Sequence, residues 1–335
     1  MHQQPLSRLS HECPDCQSNA PDVTRRSFLQ ATAGTAAALA SAAWLGPRVY
    51  AAPTAESAAE SAVGRFFASL SASQQDVICF PFDHELRKRI SANWHVTKPV
   101  IGDDFYTDEQ RRMINEIVRN VTSEDGYGRF IKQMEDDDGG LNFYSVAVFG
   151  KPGEGSFEWE LTGRHLTLRA DGNSVDRAAF GGPIVYGHGE EGDPSQNLFH
   201  YQTTAANEVF KALDAPQRKQ ALIAKAPEES AVPVQGADGT FPGIAVSELS
   251  KDQRALVRDT LKMLLAPYRQ EDVAEVMEIV QQSGGVKNLR MAFYQQGDLQ
   301  SDGEWDIWRI EGPSLVWHFR GAPHVHAYIN ISATT

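Results

Sequence analysis

The chain has 335 residues, 31 basic and 44 acidic side chains, and a formal net charge of −13. Such a surface repels nucleic acid and anionic lipid, which excludes DNA, RNA and stable membrane insertion as modes of action. Hydrophobic residues make up 41% and aromatics 9%, ordinary levels for a folded domain, and three cysteines are too few for a disulfide scaffold.

Residues 1–51 read as an export leader. Thr24-Arg25-Arg26-Ser27-Phe28-Leu29-Gln30 places two adjacent arginines before Phe-Leu, and a weakly apolar, alanine-rich run follows from Ala31 to Leu45. Val49-Tyr50-Ala51 supplies the small residues that a signal peptidase needs. This resembles a twin-arginine signal peptide cut after Ala51. The expected partners are therefore the twin-arginine translocation machinery and signal peptidase, and the expected destination is the periplasm or the exterior. Cys13-Pro-Asp-Cys16 precedes the arginines and leaves with the leader, so it reads as incidental. Cys79, among Val77, Ile78 and Phe80, reads as a buried small hydrophobe.

Residues 52–69 read as a linker running into a first helix, and 70–335 as a single domain. Four capping boxes mark helix starts: Ser71 with Gln74, Thr107 with Gln110, Asp214 with Gln217, and Ser250 with Gln253. In each, a side-chain oxygen accepts the backbone N–H three residues on, and the glutamine reaches back to the cap. Met113, Ile114, Ile117, Val118 and Val121 carry a helical stripe after the second box; Leu256, Val257, Leu261, Leu264 and Leu265 do so after the fourth. The flanking sequences do not match, so the boxes read as recurrent capping chemistry and not as an internal repeat.

Strand signals fall in two blocks, about 141–186 and 289–331. The first contains Asn142–Phe149, Phe157–Leu161, His165–Ala170, Ser174–Ala178 and Ile184–Tyr186; the second contains Leu289–Gln295, Trp305–Ile310, Leu315–Phe319 and His324–Ile329. Tight Gly, Pro and Asp turns separate them, which predicts antiparallel hairpins. The expected fold class is α+β: one curved, mostly antiparallel sheet built from both blocks, with helices packed on it.

Several of these features occur together in one known family. They are Phe143-Tyr144-Ser145-Val146-Ala147-Val148-Phe149-Gly150, Trp159, Gly163-Arg164-His165-Leu166, Phe180-Gly181-Gly182-Pro183, Gln217-Arg218, Trp308-Arg309-Ile310-Glu311-Gly312-Pro313 and His324-Val325-His326. Over roughly residues 70–331 the chain resembles the bacterial domain of unknown function 3500 family, whose members are often exported. The family pattern has two adjacent histidines after the glycine. Here Arg164 stands at the first place and His165 at the second, so no role for the first histidine carries over. The resemblance implies a fold and no established activity.

His324-Val325-His326 is the sharpest chemical signal. Residues two apart on a strand share a face, so both imidazoles project together and can share one ion. In the predicted hairpin around Thr162-Gly163, His165 shares a face with Thr167 and Arg169, and Glu158 and Glu160 lie opposite Phe157, Trp159 and Leu161. If the C-terminal strand lies beside this hairpin, His165, His324 and His326 become metal ligands, with Glu158 or Glu160 as fourth ligand or general base. Such a set suits a divalent transition metal, Zn, Cu or Fe, with a position open for water. Metal-assisted hydrolysis or oxidation follows as the expected chemistry.

His318 reads either as a group that orients a ligand or as a sheet residue with its own hydrogen bond. The stretch 186–194, with His188 and Glu190, reads as an acidic loop, solvated or acting as a lid. His200-Tyr201 reads as the start of a helix. Glu135-Asp136-Asp137-Asp138-Gly139-Gly140 lacks the alternating ligands of an EF-hand and reads as a solvated helix end before a glycine turn. Gly-x-Ser-x-Gly, His-Glu-x-x-His and the phosphate-cradling Gly-rich motif do not occur, which disfavours the common serine hydrolases, zincins and P-loop enzymes. The alternative is a non-enzymatic binder of a small anionic or sugar-like molecule, using a cavity lined by Trp305, Trp308, Tyr294, Arg290, Arg309 and the histidines.

Overall fold

A computed structural model describes residues 50–189, 192–299 and 302–333. The segment read as a leader lies outside the described residues except for Tyr50 and Ala51, so its arginine pair, Cys13 and Cys16 are not among them. Among the described residues no helix is long and apolar enough to cross a membrane.

All four predicted capping boxes form. They start α2 (Ala72–Ile78), α3 (Asp108–Asn120), α6 (Ala215–Ala221) and α7 (Lys251–Leu265). The remaining helices are α1 (Ala58–Ser69), α4 (Glu124–Asp138), α5 (His200–Ala212) and α8 (Gln270–Gln282). Helix α1 buries Ala59, Ala62, Val63 and Phe66 in the main core, so the helical layer begins close to the predicted linker.

The strands are β1 (Cys79–Phe80), β2 (Ser145–Gly150), β3 (Phe157–Gly163), β4 (Leu166–Ala170), β5 (Ile184–His188), β6 (Leu222–Ile223), β7 (Ile244–Ala245), β8 (Arg290–Tyr294), β9 (Ile307–Gly312), β10 (Leu315–Arg320) and β11 (Val325–Ile331). They form one sheet in the order β1-β2-β3-β4-β5-β11-β10-β9-β8-β6, with β7 paired to β8. The pairings are antiparallel except β1 with β2 and β6 with β8. The α+β expectation holds, and the two strand blocks meet where β5 pairs with β11.

Ser174–Ala178 is not a strand. The Asp171 carboxylate accepts from the N–H groups of Asn173 and Val175, which closes a turn, and Asn173 and Arg177 take left-handed φ values of 60° and 59°. A side-chain oxygen competing for backbone donors outweighs strand propensity here.

The element order of the first half recurs in the second: two helices, a two-residue strand, a long connection, two more helices, then a four-stranded meander. The match extends to side chains. Gln74 Nε2 donates to Gln110 Oε1 at 2.8 Å, and Gln253 Nε2 donates to Gln217 Oε1 at 2.7 Å. Gln110 also donates to the Ser69 carbonyl and Gln253 to the Ala212 carbonyl, at 3.0 and 2.8 Å. In sequence the boxes read as recurrent capping alone; in the structure they belong to two copies of one arrangement. Core positions tolerate substitution at constant volume, so flanking sequences diverge while the packing persists.

Helices cover one face of the sheet, where Trp159, Leu161, Tyr186, Trp308, Trp317, Val325 and Ala327 join the main core. The other face carries Glu158, Glu160, Arg169, Arg309, His318 and His326. It is not a solvated surface, because all of these are buried. Two long connections, 81–107 and 224–243, lie over it. Ala92 from one and Val232 from the other meet in a small cluster with Val185, Val316 and Tyr328, above the β5–β11 seam.

Candidate metal centre

The seam brings the predicted histidines together. His165 occupies the two-residue turn between β3 and β4, His326 lies in β11 opposite Gly187 of β5, and His324 directly precedes β11. Nε2 of His324 and Nε2 of His326 are 3.1 Å apart. The His165 ring centroid lies 5.3 Å from that of His324 and 4.9 Å from that of His326. One ligand nitrogen from each of the three falls within 4.8 Å of the others. Bonds of about 2.1 Å in a tetrahedral set place ligand nitrogens about 3.4 Å apart, so binding would draw the widest pair inward by as much as about 1.4 Å.

Local backbone chemistry makes room for His165. Its φ is 56°, a left-handed value that costs a non-glycine residue roughly 1 kcal/mol and persists only where the surroundings enforce it. Its N–H donates to the Ala92 carbonyl at 2.6 Å, so the connection 81–107 pins the turn. Gly187 sits beneath the ring, and a Cβ there would lie 3.2 Å from the His165 Cβ and collide with the Val325 carbonyl. Gly189 is similarly confined, since a Cβ there would lie 2.7 Å from the Asp137 Oδ1 and 3.2 Å from the His165 Cε1. The stretch read as a solvated loop or a lid begins as the central strand β5, and its Glu190 lies outside the described residues. His188 points to the other face, opposite Val325, where its Nε2 lies 3.1 Å from Asp136.

Two carboxylates that sequence reasoning did not assign to the site hold the imidazoles from behind. Asp137 Oδ2 lies 2.9 Å from His165 Nδ1, and Glu229 Oε2 lies 2.8 Å from His326 Nδ1. Each carboxylate engages Nδ1, which makes Nε2 the nitrogen that the ring can offer to an ion. Asp137 also accepts from Gln133 Nε2 at 2.6 Å and from the Gly189 N–H at 2.7 Å. Burial acts to raise its pKa, but the His165 hydrogen bond and charge, with Gln133 and Gly189, hold the carboxyl below its ordinary value. The run Glu135–Asp138 does end a helix before a glycine turn, as read, but Asp137 is not solvated: its side chain is 2% exposed. Asp136, Asp137 and Asp138 at a helix C-terminus oppose the macrodipole, and that misfit is the sequence signal for hidden partners. Glu229, within the connection 224–243, carries no comparable signal.

The trio is buried, with His165, His324 and His326 at 0%, 4% and 0% exposure. Burial, then the neighbouring His326 and Arg320, push the His324 pKa down to about 3. Burial, followed by Arg320, lowers His326 well below its ordinary value. Both imidazoles are therefore neutral at pH 7, the form that binds metal. Arg320, the last residue of β10, has Nη2 3.3 Å from His324 Nε2 and Nη1 2.9 Å from Glu229 Oε1.

Other predicted residues lie apart from this cluster. Glu158 pairs with Arg169 and with Arg87, the latter at 3.0 Å, and Glu160 lies 3.1 Å from Arg169 Nη2. These carboxylates face arginines under the connection 81–107, while Asp137 and Glu229 are the acids that reach the histidines. His318 accepts from Arg309 Nε at 3.3 Å, a sheet contact as in the simpler of its two readings. The cavity expected around the tryptophans is filled: Trp308 stacks on Phe319 in the main core, Arg309 faces the opposite side of the sheet, Tyr294 packs with Ile307, and Arg290 donates to the Gly243 carbonyl.

A family model described as Protein of unknown function (DUF3500) matches residues 52–330. The chain belongs to this family. Comparison with curated proteins and with solved structures gave no match. The family carries no stated activity, so the reading of this DUF3500 member rests on the site itself.

Proposed function

We propose that this chain is an exported metalloprotein in which His165, His324 and His326 hold one divalent transition metal. The observation that carries the reading is the pair of carboxylate–imidazole contacts, Asp137 to His165 and Glu229 to His326, behind three nitrogens within 4.8 Å. Carboxylates placed on Nδ1 fix ring orientation and raise ligand basicity in metal sites. Three imidazoles suit Zn, Cu or Fe and keep a further position open for water or substrate. The chemistry is metal-assisted hydrolysis with zinc, or oxidation with copper or iron. In this reading Asp137 and Glu229 serve the site, and Glu158 and Glu160 stabilise the buried polar face of the sheet.

The leader sequence around Arg25 and Arg26 supports passage through the twin-arginine translocation machinery and cleavage after Ala51 into the periplasm or beyond. That route carries folded proteins, which fits a metal loaded beneath two long connections before export.

The test is elemental. The mature protein, purified without a histidine tag, is analysed for bound metals by mass spectrometry beside a His324→Ala/His326→Ala variant. One near-stoichiometric metal, lost in the variant, supports the reading; no metal after incubation with Zn, Cu and Fe overturns it.

A further inference from the structure

We infer that cleavage after Ala51 creates a buried ion pair: the α-ammonium group freed on Ala52 enters a small acidic cavity and pairs with the Glu275 carboxylate. This rests on reading residues 1–51 as a leader removed on export, and is independent of the histidine trio. Ala52 lines a cavity of about 120 Å³ together with Asp176, Arg177, Glu275, Glu278 and Gln282. That is room for about four waters. Glu275, on α8, is 5% exposed, and among the described residues it has no hydrogen bond or ion pair. Asp171 and Asp272 repel a negative charge there. Arg269 attracts one, but it already bridges Glu60 and Asp272. Arg177, on the cavity wall, donates to Gln282 Oε1 at 3.3 Å and to no carboxylate. A buried carboxyl without a donor keeps its proton. That is the state of the uncleaved chain, in which burial first, then the neighbouring acids, push Glu275 up to about 8.

The chain is built to deliver an amine to this place. Pro53 is buried, the Thr54 N–H donates to Ser57 Oγ at 3.0 Å, and the Ser57 N–H donates to the Thr54 carbonyl at 3.0 Å. Ala55 packs on the turn after β4, where a Cβ on Gly172 would lie 3.0 Å from the Ala55 Cα. The backbone is therefore fixed from Pro53 onward, and one residue separates that anchor from the new terminus. Tyr50 is 38% exposed and Ala51 is exposed, so the bond to be cut faces solvent. Hydrolysis adds one water across the Ala51–Ala52 amide. The new carboxylate leaves with the leader, and the nitrogen stays at the cavity wall as an ammonium group with three donors. An α-amine, with an ordinary pKa of about 7.7–8.0, carries this charge at neutral pH. A metal ion suits the cavity less well. Among the described residues only the histidine trio has ligand atoms close enough for an ion, and Asp176, Glu275 and Glu278 form no such set.

N-terminal sequencing of the exported protein comes first. A first residue other than Ala52 overturns both the cut and the inference. The Ala52 amine of the mature protein is then acetylated in trace amounts across a pH series, and the N-terminal peptide is quantified by mass spectrometry. At pH 8 the amine is expected to react about tenfold more slowly in the native protein than in urea, with its midpoint raised by about one pH unit or more. Glu275→Gln, which keeps the shape and removes the charge, is expected to return the midpoint to the ordinary range. Asp176→Asn, at an exposed position of the wall, is expected to leave most of the shift in place. A native Ala52 amine that titrates and reacts as it does in urea overturns the inference and leaves the leader reading standing. So does a raised midpoint that survives Glu275→Gln. If Glu275→Gln does not fold, the comparison of native and urea-unfolded wild type decides.

Discussion

Asp137 Oδ2 lies 2.9 Å from His165 Nδ1, joining the last turn of α4 to the β3–β4 turn across 28 residues of sequence. Both side chains are almost wholly buried. A buried carboxylate held in place by Gln133 and Gly189 and set against His165 Nδ1 fixes the direction of the far nitrogen of that ring. Asp137→Asn keeps the shape and removes the charge. It is expected to weaken metal binding by about 10–100-fold, measured by competition with a chromophoric chelator, with the far-ultraviolet circular dichroism unchanged. Unaltered affinity would show that Asp137 only packs.

Metal binding to the native state alone makes stability depend on metal. At a free concentration about 100 times Kd the gain is about 2.7 kcal/mol. Thermal melts of the metal-loaded protein are expected to drop by several degrees on adding chelator, while His324→Ala/His326→Ala melts at one temperature with or without it. A melt insensitive to chelator in the wild type counts against a resident ion.

Gly187 is the position where the backbone yields space to the His165 ring. Gly187→Ala is expected to cost about 1–3 kcal/mol through overpacking against the Val325 carbonyl and His165, and to lower metal affinity along with stability. Gly64, in α1, has open space around its missing Cβ. Gly64→Ala is therefore expected to stabilise by roughly 0.5–1 kcal/mol, since alanine forms helix better than glycine. Urea denaturation of both variants checks the contrast.

A second buried group of charges sets a pH dependence away from the histidines. Arg269 bridges Glu60, through Nη2 at 2.7 Å, and Asp272, through Nε at 3.0 Å. Burial, opposed by Arg269, raises Asp272 to about 7; burial, reinforced by Asp171 and Asp272, raises Glu275 to about 8. Between the unfolded carboxyl values near 4 and these folded values, the native state holds more protons than the unfolded state. Their contribution to stability is thus complete below about pH 4 and is lost as pH rises through 7 to 8. In the chain with residues 1–51 still attached, Glu275→Gln is expected to gain stability over wild type at pH 8 and to flatten the slope between pH 5 and 8. Equal slopes in parallel urea titrations would count against the shift at Glu275.

Cap chemistry supplies a fourth kind of contribution. Thr107→Ala and Ser250→Ala each remove the oxygen that accepts from a glutamine N–H, at 3.2 Å in both helices. Each is expected to cost about 1 kcal/mol, and the similarity of the two losses would reflect the repeated arrangement of the halves.

Local chemistry is written in the chain itself. Capping boxes, turn residues and alternating strands depend on neighbours a few positions apart, so four helix starts, eight of the strands and the pairing of His324 with His326 were legible from spacing alone. The two-residue strands β1, β6 and β7 were not, because nothing in so short a run distinguishes a strand from a loop. Nor was the repeat, whose signature lies in matching contacts between glutamines and not in matching sequence.

Long-range placement belonged to the tertiary structure. Pairing of β5 with β11 brought His165 to the C-terminal histidines, as strand periodicity allowed but did not require. The same periodicity put Glu158 and Glu160 on a polar face, yet only the position of Arg87 and Arg169 decided that these acids turn to arginine. Asp137 and Glu229 reached the imidazoles from a helix end and a connection, 28 and 97 residues away in sequence. Sequence determines which groups can ionise, bond or ligate; burial and approach across the fold determine which of them meet.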